Sequence, residues 1–181
     1  MAYKRLKELD QGKFLGQKGY SSSGVCYYIC EYVQEKVWNR PVVGTFDKAV
    51  EAVKNVVPAT IIKAAKAKSL SQKQGKKIAQ RTYGTLATPL LINSLYRVSL
   101  WFGLAGEAPD DADDQNHEAI VITGSGAEIV FLEPNWGFYQ GDADLVNVTN
   151  KDVFEAAVRA LYYSHAHGHA ENFCYERIRG L

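Results

Sequence analysis

The chain has 181 residues, of which 46% are hydrophobic, so it is long enough for one domain with a buried core that needs no staples. Its 21 basic and 20 acidic residues nearly cancel, which gives no reason to expect nucleic acid or a membrane surface as a partner. Three cysteines are sparse and odd in number, unlike a disulfide framework, and this favours a reducing cytoplasm.

The N-terminal segment is charged and is interrupted by glycine. It lacks the apolar core of a secretory signal, and no apolar run in the sequence approaches the ~18–20 residues that a membrane span needs. We therefore expect a protein that starts in the cytoplasm, with export by a route that needs no cleaved signal left open. Residues 1–20 are predicted to be an extended lead-in to a single domain over residues 21–181.

Apolar residues at helical spacing dominate the first half of the chain. They predict a helix over residues 24–38, with Ser23 as its cap. A second helix is predicted over residues 46–57, with Val57 on its buried face and Pro58 as its stop. Further helices are predicted over 60–68, over 71–80 after a break at 69–71, and over 88–101, where a strand over 95–102 is the alternative.

The apolar period changes to that of strands after residue 116. The runs His117–Thr123 and Ala127–Glu133 are joined by Gly124-Ser125-Gly126, whose glycines can supply the positive φ of a tight hairpin turn. The remaining predicted elements are a strand over 143–148, a helix over 151–163 and a strand over 173–178. Helices followed by a meander of strands predict an α+β fold with an antiparallel sheet.

Cys26 lies in the first turn of the predicted helix over residues 24–38. Only a thiolate is strongly nucleophilic, and a free thiol with a pKa of about 8.5 supplies little of it at neutral pH. A helix N-terminus and a neighbouring imidazole both favour the thiolate, and the backbone N–H of Cys26 can donate to an oxyanion. The alternative is a small buried hydrophobic side chain, the role predicted for Cys30 on the same face.

His117 opens the first β-type run and Glu133 closes the second. If the two strands pair about the glycine turn, both residues lie at one edge of the sheet, where cross-strand neighbours stand about 5 Å apart. Glu133 can then fix the tautomer of the imidazole, as the third member of a catalytic triad does. The alternatives are a surface histidine and a strand-end charge before a turn.

The segment Glu133–Gly137, which reads Glu-Pro-Asn-Trp-Gly, resembles the Asp-Pro-Asn-aromatic-Gly segment of the YopT/AvrPphB cysteine proteases. That family comprises bacterial effectors with a papain-like fold, in which this acid completes a Cys-His-Asp triad. The Gly24-x-Cys26 start and the strand-opening His117 are also similar. The resemblance implies a papain-like thiol protease with Cys26, His117 and Glu133 as its catalytic residues.

The same resemblance implies a virulence effector that acts on a protein of a host or target cell. Such an effector is made in the bacterial cytoplasm and is secreted without a cleaved signal peptide. Its chemistry uses no cofactor and no metal, and neither nucleic acid nor a membrane is expected as a partner.

Position 133 departs from the family, because it is Glu where the family has Asp. The extra methylene moves the carboxylate by over an ångström, so either the backbone adjusts or Asn135 takes the orienting role, as Asn does in papain-like enzymes generally. These enzymes commonly use a Gln shortly before the nucleophile as a second oxyanion donor. Gln17 is our candidate for that donor, since Gln11 is further from Cys26 in the sequence.

The Cys/His chemistry leaves the reaction open. A thioester intermediate can be resolved by water or by an amine, so glutamine deamidation and transglutamination stand beside proteolysis, and a peptidoglycan amidase uses a comparable pair. The non-enzymatic alternative is a binding protein, or an inactive relative, that keeps the cleft.

Three of the four histidines fall in one short run, His165, His167 and His169. Alternating imidazoles on a strand would share one face and could bind zinc, copper or nickel, with Glu171 or Cys174 as a further ligand. The alternative is a polar helix C-terminus, where histidines favour the negative end of the dipole. The proposed thiol chemistry needs none of these residues.

Overall fold

In the described part of the chain, four helices follow the first strand and precede the other five strands, and a further short helical stretch lies between the last two strands. A computed structural model describes residues 3–17, 25–38, 45–71, 90–100, 117–141, 152–154, 156–157 and 173–180. Its elements are β1 (Tyr3–Glu8), α1 (Gln11–Gln17), α2 (Cys26–Tyr32), α3 (Phe46–Lys54), α4 (Pro58–Ser71), β2 (Ser94–Leu100), β3 (His117–Thr123), β4 (Ile129–Glu133), β5 (Gly137–Gly141) and β6 (Phe173–Gly180). Helix α2 continues as a π-helix over Val33–Trp38.

The described strands form one six-stranded sheet in the order β1-β5-β4-β3-β2-β6, and every neighbouring pair is antiparallel. Strands β2 to β5 follow one another as a meander, while β1 and β6 add the two edges. The predicted α+β class with an antiparallel sheet is therefore confirmed. No helix in the described ranges is long and apolar enough to cross a membrane.

Both faces of the central strands are covered, so β3 and β4 are buried along their whole length. Successive residues of a strand point to opposite faces. Ile120 and Leu132 pack with the helical layer, which includes Ile29 of α2, whereas Val121 and Phe131 pack on the other face with Phe154. This double burial explains why the two strands read as continuous apolar runs rather than as alternating ones.

The N-terminal segment is part of the fold, so the predicted extended lead-in over residues 1–20 is wrong. Strand β1 pairs with β5, from Tyr3 opposite Gly141 to Glu8 opposite Gly137. An edge strand is held largely by backbone hydrogen bonds, which leave its side chains free to be charged and hide it from a hydrophobicity pattern. The domain therefore includes residues before position 21, and α1 follows β1 directly.

The boundary between α3 and α4 also differs from the prediction. The Thr45 hydroxyl caps α3 by accepting from the backbone N–H of Lys48 at 3.4 Å, and the helix ends at Lys54. Val57 is 60% exposed instead of buried, and Pro58 opens α4 instead of ending α3. Proline suits the first position of a helix because its missing N–H has no intrahelical partner to lose. Helix α4 then runs through Ser71, so the predicted break at 69–71 is wrong.

Some of the strands after residue 90 agree with the sequence prediction and others do not. The segment 94–100 is β2, so the predicted helix over 88–101 is wrong and its strand alternative is right. Strand β3 has its predicted bounds, and β6 contains the predicted strand over 173–178. Strand β5 was not predicted. The predicted strand over 143–148 lies outside the described residues, as do Ser23 and most of the predicted helix over 151–163, of which 152–154 and 156–157 are helical.

Candidate functional site

Cys26 is the first residue of α2, and its free thiol is partly exposed. Val25 holds the cap position without a side-chain cap, and its backbone N–H donates to Oε1 of Gln11 at 2.8 Å. Cys30, one turn further along, is fully buried and donates its thiol hydrogen to the carbonyl oxygen of Glu118 at 3.5 Å. Burial raises the pKa of Cys30 well above its ordinary value.

His117 and Glu133 are in direct contact at the ends of neighbouring strands. The Nε2 atom of His117 lies 2.7 Å from Oε1 of Glu133 and 2.9 Å from Oε2. Glu133 is fully buried and His117 is 7% exposed. Both oxygens of the carboxylate therefore contact the same ring nitrogen, and this contact fixes the orientation of the imidazole ring.

The strand register explains how Glu133 reaches His117. Ile120 lies opposite Leu132, so the same register sets Glu133 against Ala119 and makes His117 its diagonal neighbour on the same face. Diagonal neighbours are separated by about 7–8 Å, within reach of long side chains. The extra methylene of Glu, compared with the Asp of the family motif, helps to span that diagonal.

Cys26 lies close enough to His117 for its thiol to act on the imidazole. Burial lowers the pKa of His117, but the charge of Glu133 and the hydrogen bonds to Cys26 and Glu133 outweigh burial and raise this pKa to about 10. The imidazole is therefore a cation at neutral pH. It lies between a thiol and a buried carboxylate, so the structure brings together all three residues that the sequence singled out.

Asn135 supports Glu133 rather than contacting the imidazole itself. Its backbone N–H donates to Glu133 Oε1 at 2.9 Å, and its side-chain Oδ1 accepts from Nε2 of Gln11 at 2.8 Å. The turn that holds Asn135 also closes on itself, because the Trp136 N–H donates to the carbonyl oxygen of Glu133 at 3.0 Å. Of the two orienting candidates, Glu133 is the one whose side chain meets His117.

Of the two glutamines that precede Cys26 in the sequence analysis, the structure places Gln11, and not the predicted Gln17, against the start of α2. Gln17 is exposed at the last position of α1, whereas Gln11 is 3% exposed at the first. The Gln11 side chain bridges Val25 and Asn135, and its backbone N–H donates to the carbonyl oxygen of Pro134 at 3.1 Å. Distance along the sequence is a poor guide here, because the pairing of β1 with β5 brings the start of α1 against the turn between β4 and β5.

A buried ion pair lies next to α2, the helix that begins at Cys26. Arg97 of β2 pairs with Glu118 of β3, and both side chains are nearly inaccessible to solvent. The Arg97 guanidinium also donates from Nη1 to Gln34 Oε1 at 2.9 Å and from Nη2 to the carbonyl oxygen of Tyr27 at 3.2 Å. Its Cζ atom lies 5.2 Å from the centroid of the Tyr27 ring. Sequence reasoning missed Arg97, although a lone arginine in an apolar strand is a signal for a buried partner.

No group of three or more His, Cys, Asp or Glu side chains in the described ranges is placed to hold a metal ion. The predicted metal-binding alternative, His165, His167 and His169, lies outside the described residues, as does the side chain of Cys174.

No family model matches the chain, and neither a curated protein nor a solved structure does. The resemblance to the YopT/AvrPphB proteases thus rests on the motif residues given above.

Proposed function

We propose that this chain is a papain-like thiol hydrolase with Cys26 as nucleophile, His117 as proton carrier and Glu133 as orienting acid. The observation that carries the proposal is the position of His117. Its Nε2 is engaged by Glu133, and the same imidazole interacts with Cys26. Since Glu133 occupies Nε2, the other ring nitrogen, Nδ1, is assigned to the thiol.

The charges of His117 and Glu133 bear on the proposed role of Cys26. His117 is held as an imidazolium, and the buried Glu133 carboxylate offsets its charge, so the pair together is close to neutral. An imidazolium beside a thiol stabilises the anion that attacks a carbonyl carbon. Cys30 lacks this partner and is buried in the core, so it serves as an internal reference for thiol reactivity.

The reaction follows from these roles. The Cys26 thiolate forms a bond to the carbonyl carbon, whose π electrons move to the oxygen, and the backbone N–H of Cys26 donates to that oxyanion. Collapse breaks the carbon–nitrogen bond, and His117 gives its proton to the departing amine. Water then attacks the thioester while His117 takes its proton, and the carbon–sulfur bond breaks to free the acid and restore Cys26.

The protease assignment and the protein substrate are supported by the resemblance to the YopT/AvrPphB family. On the same support we propose an effector that acts in a target cell. Glutamine deamidation, transglutamination and peptidoglycan cleavage use the same thioester logic and are separated by product analysis. Proteolysis would give cleaved peptide bonds. Deamidation and transglutamination would convert glutamine side chains, and peptidoglycan cleavage would release cell-wall fragments.

The pH dependence of alkylation at Cys26 tests this proposal. Iodoacetamide labelling is read by peptide mass in the wild type and in His117→Ala, with Cys30 and Cys174 as references in the same sample. We expect selective labelling of Cys26 at about pH 6, and its loss or a shift to higher pH in His117→Ala. Labelling of Cys26 that begins only above about pH 8, no faster than at the references, would identify a binding protein or an inactive relative.

Activity on a confirmed substrate gives a second test. We expect both Cys26→Ala and His117→Ala to abolish turnover, because one removes the nucleophile and the other its proton carrier. Full activity in both variants would refute the assignment of the site.

A further inference from the structure

Gln11 joins two segments of the chain that carry the site. Its Oε1 accepts from the backbone N–H of Val25 at 2.8 Å, directly before the nucleophile. Its Nε2 donates to Oδ1 of Asn135 at 2.8 Å, in the turn after the acid. These two partners lie 14 and 124 residues away in the chain, so one buried side chain spans a large sequence distance.

The remaining links close these contacts into a circuit. The backbone N–H of Asn135 donates to Glu133, Glu133 contacts His117, and the His117 imidazole interacts with Cys26. Cys26 is bonded covalently to Val25, whose N–H begins the path at Gln11. The nucleophile, the base and the acid therefore lie on a single closed path.

The Gln11 amide has one orientation that satisfies both partners. A backbone N–H only donates, so the Val25 N–H fixes Oε1 as the atom that faces it. That choice turns Nε2 toward Asn135, whose Oδ1 accepts from it. The backbone of Gln11 is held as well, because its N–H donates to the carbonyl oxygen of Pro134 at 3.1 Å. If the Gln11 amide were flipped, the buried backbone N–H of Val25 would lose its acceptor, so the observed orientation is the one that satisfies both partners.

We propose that Gln11 is a positioning residue, which sets the distance between the start of α2 and the turn that holds Glu133. This inference rests on the function proposed above. Gln11 acts through others: it holds Val25 and Asn135, and they in turn place Cys26 and Glu133. Loss of either Gln11 bond lets the two segments separate, and a shift on the order of 1 Å costs up to about a hundredfold in rate.

A closed path predicts a particular pattern of coupling. Removing any one hydrogen bond interrupts the closed path, so removing a second bond of the same path is expected to reduce the labelling rate of Cys26 little further. Gln11→Met removes both side-chain bonds with little change in volume, and Asn135→Ala removes only the link to Asn135. The double variant is therefore expected to be no slower than the slower single variant, which is strong non-additivity.

The measurement is the rate of iodoacetamide labelling at Cys26 at about pH 6.5, read by peptide mass on the full chain. We expect about a tenfold loss in each single variant and no further loss in the double variant. Lys13→Ala, on the exposed side of the same helix, is the matched control and is expected to keep the wild-type rate. Alkylation forms no oxyanion, so a Gln11 that served only as an oxyanion donor would leave this rate unchanged.

The outcomes separate this inference from the proposed function. If Cys26 of the wild type reacts no faster than Cys30 and Cys174, the proposed function fails. If Cys26 of the wild type reacts fast and the single variants keep that rate, or if their losses add in the double variant, Gln11 does not position the site and the function stands. Where circular dichroism finds Gln11→Met unfolded, the half-exposed Asn135→Ala decides: a wild-type rate overturns the inference, and a loss supports it.

Discussion

Arg97 links α2, the helix that begins at Cys26, to the sheet, and the carboxylate of Glu118 compensates the buried positive charge of Arg97. Arg97 binds Glu118 across the β2–β3 pair and donates to the carbonyl oxygen of Tyr27, the residue after Cys26. Two opposite charges buried together are tolerable, but either one left alone in the core is costly. The same ion pair therefore contributes to the stability of the fold and to the attachment of α2, which begins at Cys26.

Breaking this ion pair from one side is expected to destabilise the protein strongly. Arg97→Met leaves the Glu118 carboxylate buried without its partner, and we expect a loss of about 3–5 kcal/mol in the free energy of unfolding. The double variant Arg97→Met/Glu118→Met is expected to lose much less than the sum of the two single variants. Urea unfolding of all four proteins measures the coupling, and losses that simply add would contradict a shared ion pair.

Shortening or neutralising the acid at position 133 is expected to slow Cys26. Glu133→Asp withdraws the carboxylate from a diagonal that Glu spans, and Glu133→Gln keeps the length but removes the charge that raises the pKa of His117. We expect labelling of Cys26 at about pH 6.5 to fall by on the order of tenfold or more in both variants. Glu128→Gln, in the hairpin loop before β4, serves as the control. Unchanged labelling in Glu133→Gln would remove Glu133 from the site.

The stability of the protein is expected to depend on pH through His117. Its pKa is raised to about 10 in the folded state, against an ordinary value of 6.5. Since the folded pKa is the higher one, the stabilisation from His117 is fully present below about pH 6.5 and is lost as the pH rises toward about 10. Unfolding free energies of the wild type and of His117→Gln, compared across this window, are expected to converge. Both proteins keep Cys30, so its titration cancels in the comparison, and a constant difference would contradict the contact with Glu133.

Gly137 is expected to be intolerant of any side chain. Its φ is +129°, and an added Cβ would lie 2.1 Å from the carbonyl oxygen of Lys7 in the neighbouring strand. Gly137→Ala is therefore expected to lower the melting temperature through a strain of about 1–3 kcal/mol and through displacement of β1. Gly126→Ala, where the nearest atom to the added Cβ is 3.9 Å away, is the control and is expected to be close to neutral. Equal effects of the two substitutions would contradict this account.

Local pattern was enough to predict the pairing of His117 with Glu133. Two apolar runs joined by a short glycine loop form a hairpin, and a hairpin register places the ends of its strands together. The mechanism given for the loop was nevertheless wrong. Among the described glycines the positive φ is found at Gly137, after β4, and not at Gly124 or Gly126.

The parts of the site that the sequence did not predict depend on contacts between distant segments. Gln11 reaches Asn135 only because β1 pairs with β5, and nothing in the first strand marks that partner. Arg97 and Glu118 are neighbours only once 94–100 is a strand, and that segment fits a helical period equally well. The conformational propensity and the apolar period of a segment say nothing about which other segment it pairs with. Both of these contacts depend on the order of the strands in the sheet.

The pairing of β1 with β5 also determines when the site can exist during synthesis. Tyr3 is synthesised well before its partner Gly141, because the helices and the strands β2 to β4 lie between them in the chain. Contacts of such high order form late, because the intervening loop must close first. A nascent chain therefore contains Cys26 before it contains His117 and Glu133, and the thiol gains these two neighbours only when β3, β4 and β5 have left the ribosome. Any reactivity that Cys26 gains from His117 and Glu133 is therefore absent while the chain is being made.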